Sequence, residues 1–461
     1  MNILLINAGL SVKTMYKSFA PPLGVLYIAS MLLDRGHNVE VVDCDQEGNY
    51  LESIYKILSM LNPEFIGISC MTATFMSAIG TARFIKSIDS KYKIVLGGIH
   101  PHYFPQKILS DYKEVDCVAI GEGEHTIVEL VEQQLPLSMI RGLAFRSNGQ
   151  IVVNEKRTLI DNLDSIPFPA RELVDKYEYN FAASLSLKDP RRYFFARKRE
   201  FTSIITSRGC PFSCTFCANS AFNEGRIRYR SAENVLAEIS ELVDKGYTKF
   251  FFMDDHFTSK PDRAIQICKG LQSLRAQHNI RWLCLGRADN PQDELYRAMK
   301  DAGCMQILIG LESGSQSILN YFNKKINLEK VRRTVNCAKK YNIDILASII
   351  LGAPCETDET IKETSRFLNS LDIDFLEVNK LAIAPGTEIW RDLEDKHLID
   401  TAVDWNRVLF IHDIYSDLSA KRIRKWALYI KRRFYFRPAY MYRQISRVIK
   451  RSLCYLYRES K

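Results

Sequence analysis

Ser207-Arg208-Gly209-Cys210-Pro211-Phe212-Ser213-Cys214-Thr215-Phe216-Cys217 places three cysteines in one short segment directly after a strand-like run, Thr202 to Thr206. Intervals of three and two residues let a single loop turn three thiolates toward a common centre. Soft thiolates so arranged suit an iron–sulfur cluster, and a four-iron cubane would keep one iron without a protein ligand, open to chemistry. Zinc would require a fourth donor, and the next candidate, His256, stands almost forty residues on, at no zinc-finger interval. A disulfide would leave one of the three unpaired. The other nine of the twelve cysteines are scattered singly.

Downstream of this loop, strand patterns alternate with helix patterns. Thr202 to Thr206, Lys249 to Met253, Ile280 to Leu285, Gln306 to Ile309, Ile345 to Leu351 and Phe375 to Leu381 read as six buried strands. Six βα units predict a partial (β/α)6 barrel of TIM type, which presents all its strand ends to one cavity. Upstream, Ile3 to Ile6, Val39 to Val42, Phe65 to Ser69, Ile94 to Leu96 and Cys117 to Ile120 alternate with helical segments such as Leu23 to Arg35 and Phe75 to Ser87. That order predicts a doubly wound, Rossmann-like parallel sheet with ligands at its strand ends. The loops there are rich in glycine and small polar residues: Ser69-Cys70-Met71-Thr72, Gly97-Gly98 and Gly121-Glu122-Gly123-Glu124.

The cysteine motif, with Phe216 before the third cysteine, resembles the signature of the radical S-adenosylmethionine (SAM) enzymes. The resemblance implies that Cys210, Cys214 and Cys217 carry a catalytic [4Fe-4S] cluster whose open iron binds SAM; one electron then cleaves the sulfonium and yields a 5′-deoxyadenosyl radical. It further implies that Asp254 and Asp255 lie in the stretch that receives the methionyl amino group, and that Glu312 contacts the ribose or the amino group. Gly352 and Pro385 stand in rim loops whose backbone can meet adenine, and Arg287 can pair with a carboxylate of ligand or substrate. The upstream loops look like the cobalamin-binding domain that precedes many of these enzymes. Ser69 would bond the dimethylbenzimidazole tail, with Met71 and Thr72 beside it. Gly97, Gly98, Gly121, Glu122, Gly123 and Glu124 would let the chain lie close to it. The Asp-x-His-x-x-Gly element that supplies a cobalt-ligating histidine is absent after the first strand, where Asn7-Ala8-Gly9-Leu10-Ser11-Val12 stands. His100 and His102 are expected to shape the loop around Pro101 and not to bind cobalt.

Domain boundaries expected from these patterns are 1–135 for the cobalamin unit, 136–198 for a connector, 199–400 for the barrel and 401–461 for a helical tail. The connector holds a hairpin signal, Leu143 to Arg146 and Gln150 to Val153 about Ser147-Asn148-Gly149.

A chain of 461 residues with net charge +9 distributes that charge unevenly. Residues 421–461 carry fourteen Lys or Arg against one acid, Glu459, leaving the body slightly acidic. Aromatic residues, among them Trp426, Tyr429, Phe434, Phe436 and Tyr442, interleave with these cations. That combination fits a helix at an anionic membrane surface or a helical cap packed on the body; nucleic acid is not the expected partner. Many unpaired thiols predict a reducing, cytoplasmic compartment, and no signal-peptide pattern precedes the first strand. No apolar run is long enough to span a bilayer.

Within the resembled family, the activity implied is methylation of an unactivated carbon of a small-molecule or lipid substrate, with ferredoxin or flavodoxin as electron donor. Radical cyclisation or rearrangement is the alternative. A methylthiolating enzyme would need an extra cysteine set in the first domain, and Cys44, Cys70 and Cys117 are too widely spaced for one. A non-enzymatic cobalamin and iron–sulfur sensor is the alternative of another class.

Overall fold

In the computed structural model of the chain, residues 1–10, 18–179, 200–399, 416–438 and 440–442 are described. Five short apolar runs form the parallel strands β1 (Asn2–Asn7), β2 (Asn38–Asp43), β3 (Phe65–Ser69), β4 (Lys93–Gly97) and β5 (Cys117–Ala119). They are joined in the order β2-β1-β3-β4-β5. Chain direction across this sheet reverses between β1 and β3, and the crevice outside that switch point is where doubly wound sheets hold ligands. Leu4, Ile6, Ile66, Ile68, Ile94 and Leu96 are fully or almost fully buried on one face of the sheet, while Ile3, Leu5, Val41 and Val95 face the helices on the other. Burial on both faces explains why these segments read as unbroken apolar runs.

The hairpin expected in a separate connector instead belongs to this sheet. Strands β6 (Leu143–Ser147) and β7 (Gln150–Val153) add antiparallel to β5, giving seven strands. A three-residue β5 would otherwise leave a parallel edge unpaired, and the hairpin closes it. Its turn has Asn148 and Gly149 at φ 49° and 78°, the left-handed pair that a tight hairpin turn requires.

The second sheet is a partial barrel of six parallel strands: β8 (Phe201–Ile204), β11 (Lys249–Phe252), β12 (Arg281–Gly286), β13 (Cys304–Glu312), β14 (Asp344–Leu351) and β15 (Phe375–Lys380). They are hydrogen-bonded in sequential order, with β8 and β15 at the two edges. Trp282, Phe252 and Phe257 form an aromatic knot in its core, with Phe250 buried in the same cluster. A short antiparallel pair, β9 (Ser207–Gly209) and β10 (Ile227–Tyr229), sits above it and was not legible as strands.

The two units share apolar packing. Ile318, Phe322, Ile389, Trp390 and Leu393 of the second unit belong to the same buried cluster as Ile6, Ile68 and Phe75 of the first. Among the described residues no helix is long and apolar enough to cross a membrane. Of the tail, the helix Ala420–Tyr435 is described and packs on the helix Asp358–Ser370 and on β15. Residues 401–415 and 443–461 lie outside the described residues.

Candidate functional site

Cys210 to Cys217 span the loop between β9 and the short helix Ala218–Phe222, above the carboxyl ends of the barrel strands. Several contacts fix it. The Cys217 amide donates to Cys214 O at 3.0 Å, Thr215 N donates to Phe322 O at 3.1 Å, and Ile389 N donates to Thr215 O at 3.2 Å. Asn323 donates to the carbonyl and hydroxyl of Ser213, and the Phe216 ring stands edge-on to Phe322 at 5.0 Å. Gly209 opens the loop at φ 89°, where a Cβ would fall 2.2 Å from Arg226 O. Only glycine fits there.

The three thiols are unpaired and partly accessible, whereas Cys268, Cys284 and Cys304 are sealed in the barrel core. Burial pushes the Cys210 and Cys217 thiols up, and backbone N–H groups of Phe212, and of Ser220 and Asn219, respectively, pull them back toward thiolate. Among the described residues no three His, Cys, Asp or Glu side chains are close enough to share one metal ion. A cluster takes one thiolate on each of several irons and uses ligands spread more widely, so the donor set fits it.

Around the loop stand Arg287 and Asp255. The Arg287 guanidinium lies 3.7 Å above the Phe212 ring, 3.7 Å from Cys214 Sγ and, through Nε, 2.6 Å from Asp289. Asp255 faces the cleft and accepts from Gly209 N at 3.1 Å. Asp255 is open to the cleft, and the protein mass crowded around it and then the charge of Asp254 push its carboxyl up to about 6. Asp254 does not face the cleft. It is fully buried and its carboxylate accepts from Thr206 N, Thr206 Oγ1 and Ser207 Oγ at 2.5–2.7 Å. With its lone pairs so engaged, it locks the turn before β9 and the first residue of β9 to the end of β11 and is not open to a ligand.

Glu312 ends β13 at φ 64° and is held 2.6 Å from Lys324 Nζ, both side chains buried. Lys324 in turn stands 6.0 Å from the Phe216 ring. The sequence reading missed Lys324, because nothing in Asn323-Lys324-Lys325 announces a buried ammonium. Pro385 is buried in a turn beside the first unit, where a Cβ on its neighbour Gly386 would overlap the Tyr103 ring.

Gly352, at the end of β14, donates its N–H to Glu356 Oε2 at 2.6 Å, while Oε1 of this buried carboxyl has no partner among the described residues. Burial pushes Glu356 up to about 7. A carboxyl raised in the fold contributes stability fully below the ordinary glutamate range and loses it as pH rises through the raised value. Glu356→Gln is therefore expected to be neutral near about pH 5 and more stable than the natural chain near about pH 8, by up to ~3 kcal/mol. Urea midpoints at the two pH values check this.

The glycine loops of the first sheet converge on a cavity of about 390 Å³, lined by Gly24, Gly67, Ser69, Gly97, Gly98, Gly121, Glu122, Gly123 and Glu124. Six glycines leave stretches of its wall bare between apolar side chains such as Val25, Ile28, Ile68 and Ile127, a space suited to a large ring system. Gly98 sits at φ 104° with Cys70 O only 2.3 Å from where a Cβ would be. The far wall comes from the second unit: Ser207, Arg208, Gly209, Asn219, Phe222 and Asp255. Met71 and Thr72 do not line it. Met71 points to solvent, and Thr72 is buried with its hydroxyl 3.3 Å from His100 Nδ1. Burial holds His100 and His102 down at about 3 and about 4, as neutral imidazoles.

The Gly121-Glu122-Gly123-Glu124 pattern predicts a ligand contact for Glu122, but its carboxylate is engaged by protein groups. It is 2.9 Å from Arg208 and 2.7 Å from Arg228, and accepts from Ile160 N; Arg208 also reaches Glu124 at 2.7 Å. These ion pairs tie the first sheet to β9, two residues from Cys210.

Residues 204–368 match the radical SAM superfamily and residues 10–131 match the B12-binding domain. An uncharacterized methyltransferase of Pyrococcus horikoshii is 32% identical over 96% of this chain and 95% of its own length. The chain belongs to the cobalamin-dependent radical SAM methyltransferase family. An anaerobic magnesium-protoporphyrin IX monomethyl ester cyclase of Rubrivivax gelatinosus is 25% identical over 82% of this chain and 67% of its own length. The fold is also that of the radical SAM methyltransferase TsrM from Kitasatospora setae, solved with cobalamin and a [4Fe-4S] cluster, at TM-score 0.67 and 18% identity over 86% of this chain and 74% of that one. This radical SAM protein is accordingly an enzyme, and its cofactors are SAM, a [4Fe-4S] cluster and cobalamin.

Proposed function

We propose that the enzyme methylates an unactivated carbon of a small-molecule substrate in the cleft between its two units. The observation that carries this reading is the shared wall: the glycine-lined cavity of the first sheet is closed by Ser207, Gly209, Asn219 and Asp255, residues that also frame the cysteine loop. Bound there, the three groups would supply one-electron cleavage of SAM and methyl carriage by cobalt.

In this reading Cys210, Cys214 and Cys217 hold the cluster. Arg287, resting on Phe212 beside Cys214, sets the orientation of the loop and offers a cation to a carboxylate. Asp255 receives the ammonium of SAM, a role for which its place in the cleft suits it better than Asp254. Glu312 and Lys324, as a neutralised pair behind Phe216, offer an acceptor and a donor to ribose hydroxyls, and the Gly352 and Pro385 loops border adenine. The cobalamin unit runs from residue 1 through the hairpin to Val153, and the barrel starts near Phe201. A cytoplasmic ferredoxin or flavodoxin supplies the electron, and the basic tail brings the protein to a membrane surface.

The test is anaerobic reconstitution with iron, sulfide, cobalamin, SAM and reductant, followed by mass spectrometry with a panel of candidate substrates. Methyl transfer requires S-adenosylhomocysteine and 5′-deoxyadenosine together. Deoxyadenosine alone would replace methylation by rearrangement or by cyclisation, the latter the chemistry named for the Rubrivivax relative.

A further inference from the structure

The helix Ala420–Tyr435 has two faces of different character. Ile423, Ile430 and Phe434, at steps of seven and four, are buried against the barrel. That side is pinned by Trp426 Nε1 donating to Asp358 at 2.7 Å, by the Arg422–Asp358 ion pair, and by Tyr435 OH meeting the Leu376 backbone at 3.0 and 3.2 Å. A helical face so anchored to the barrel fixes the direction of the opposite one.

On the opposite side Lys421, Lys425, Leu428, Arg432 and Phe436 recur at steps of four, three, four and four, which lines them up as one stripe. All five are exposed; Leu428 and Phe436 are 52% and 72% accessible. Among the described residues none of the stripe's three cations is paired with an acid, nor are Arg424 and Lys431 beside it. An aliphatic and an aromatic side chain centred in a field of unpaired cations is the pattern of a helix lying in a bilayer interface, apolar groups among the acyl chains and cations among headgroup phosphates. A phosphodiester backbone in solution would leave Leu428 and Phe436 in water.

Ile423 packs over Gly352 at the carboxyl end of β14, and Tyr435 bonds the start of β15. The stripe thus runs along the outer wall of the barrel, with Lys421 toward its mouth. We propose that Lys421, Lys425, Leu428, Arg432 and Phe436 form the docking surface of this enzyme for an anionic lipid bilayer. The inference deepens, and rests on, the membrane contact of the basic tail.

The experiment is vesicle co-sedimentation of the full chain with phosphatidylcholine vesicles, with and without phosphatidylglycerol, at low and high salt. Binding is expected only with the anionic lipid and should fall as salt rises. Lys421→Glu/Lys425→Glu/Arg432→Glu together are expected to weaken it by more than ~50-fold, since each cation near an anionic surface is worth roughly fivefold. Leu428→Ser/Phe436→Ser is expected to weaken it at unchanged charge. Both variants leave the inner face intact, so urea midpoints and cofactor content should be those of the natural chain. No binding by the natural chain would end the membrane reading itself. Binding undiminished in both stripe variants would leave the tail as the contact and overturn the stripe. Displacement from vesicles by polyuridylic acid would overturn the lipid in favour of nucleic acid.

Discussion

Cys214→Ala is expected to lower bound iron from about four atoms per chain to below about one, while leaving cobalamin bound. Its thiol stands in the middle of the loop, with Arg287 on one side and the Cys217 amide bonded to its own carbonyl on the other. Three thiolates are the smallest set that can hold a cubane with an open iron, so removing one leaves two and no chelate. Cys210→Ala and Cys217→Ala should behave alike, and 5′-deoxyadenosine should become undetectable in all three. The cavity proposed for cobalamin is built from the strand-end glycines of the first sheet, so cobalamin retention is what separates loss of the cluster from loss of the fold. Cys268→Ala is the control: it is buried in the barrel core, far in character from the accessible loop thiols, and should cost stability but no iron. Iron and sulfide analysis decides the matter. Iron lost from Cys268→Ala and kept in Cys214→Ala would reverse the assignment.

The central strands of both sheets were legible because strands such as β1, β3 and β14 are buried on two faces and read as nearly uninterrupted apolar runs. The cysteine loop was legible because its chemistry is local, packed into eleven consecutive residues. What the sequence hid depends on pairing across long separations. The hairpin at Ser147-Asn148-Gly149 was visible as a hairpin, but not that β6 would find the open edge of β5. Asp254 and Asp255 are indistinguishable in the string; strand geometry sends one into a cage of three hydroxyl and amide donors and the other into the cleft. Lys324 meets Glu312 only because the helix Gln316–Tyr321 returns the chain over the barrel mouth. Glu122, in a loop that reads as a ligand cradle, finds Arg208 and Arg228, 86 and 106 residues away.

That last network supports the other large effect. Burial alone would push the Glu122 carboxyl up, but Arg228 and Arg208, together with the Ile160 amide, hold it below its ordinary value. Removing one member leaves the others charged and buried, since the side chains of Glu122 and Arg228 are only 6% and 4% accessible. Uncompensated charges of this kind cost about 3–5 kcal/mol. Glu122→Ala is therefore expected to destabilise the chain by roughly that amount in urea unfolding and to weaken cobalamin retention, because the same residue lines the cavity. A carboxylate whose value is depressed in the fold contributes stability above its unfolded value and loses it as pH falls through the folded one. The difference between the natural chain and Glu122→Gln should thus stay constant from neutral pH down to about 4.3 and shrink below it. Arg208→Ala should match Glu122→Ala in stability and also disturb the cluster, as Arg208 lies two residues before Cys210. If Glu122→Ala lost less than about 1 kcal/mol, the pair would count as an ordinary surface contact. If it lost the expected amount but Arg208→Ala kept the cluster spectrum unchanged, the clamp would join the two units without governing the geometry of the cysteine loop.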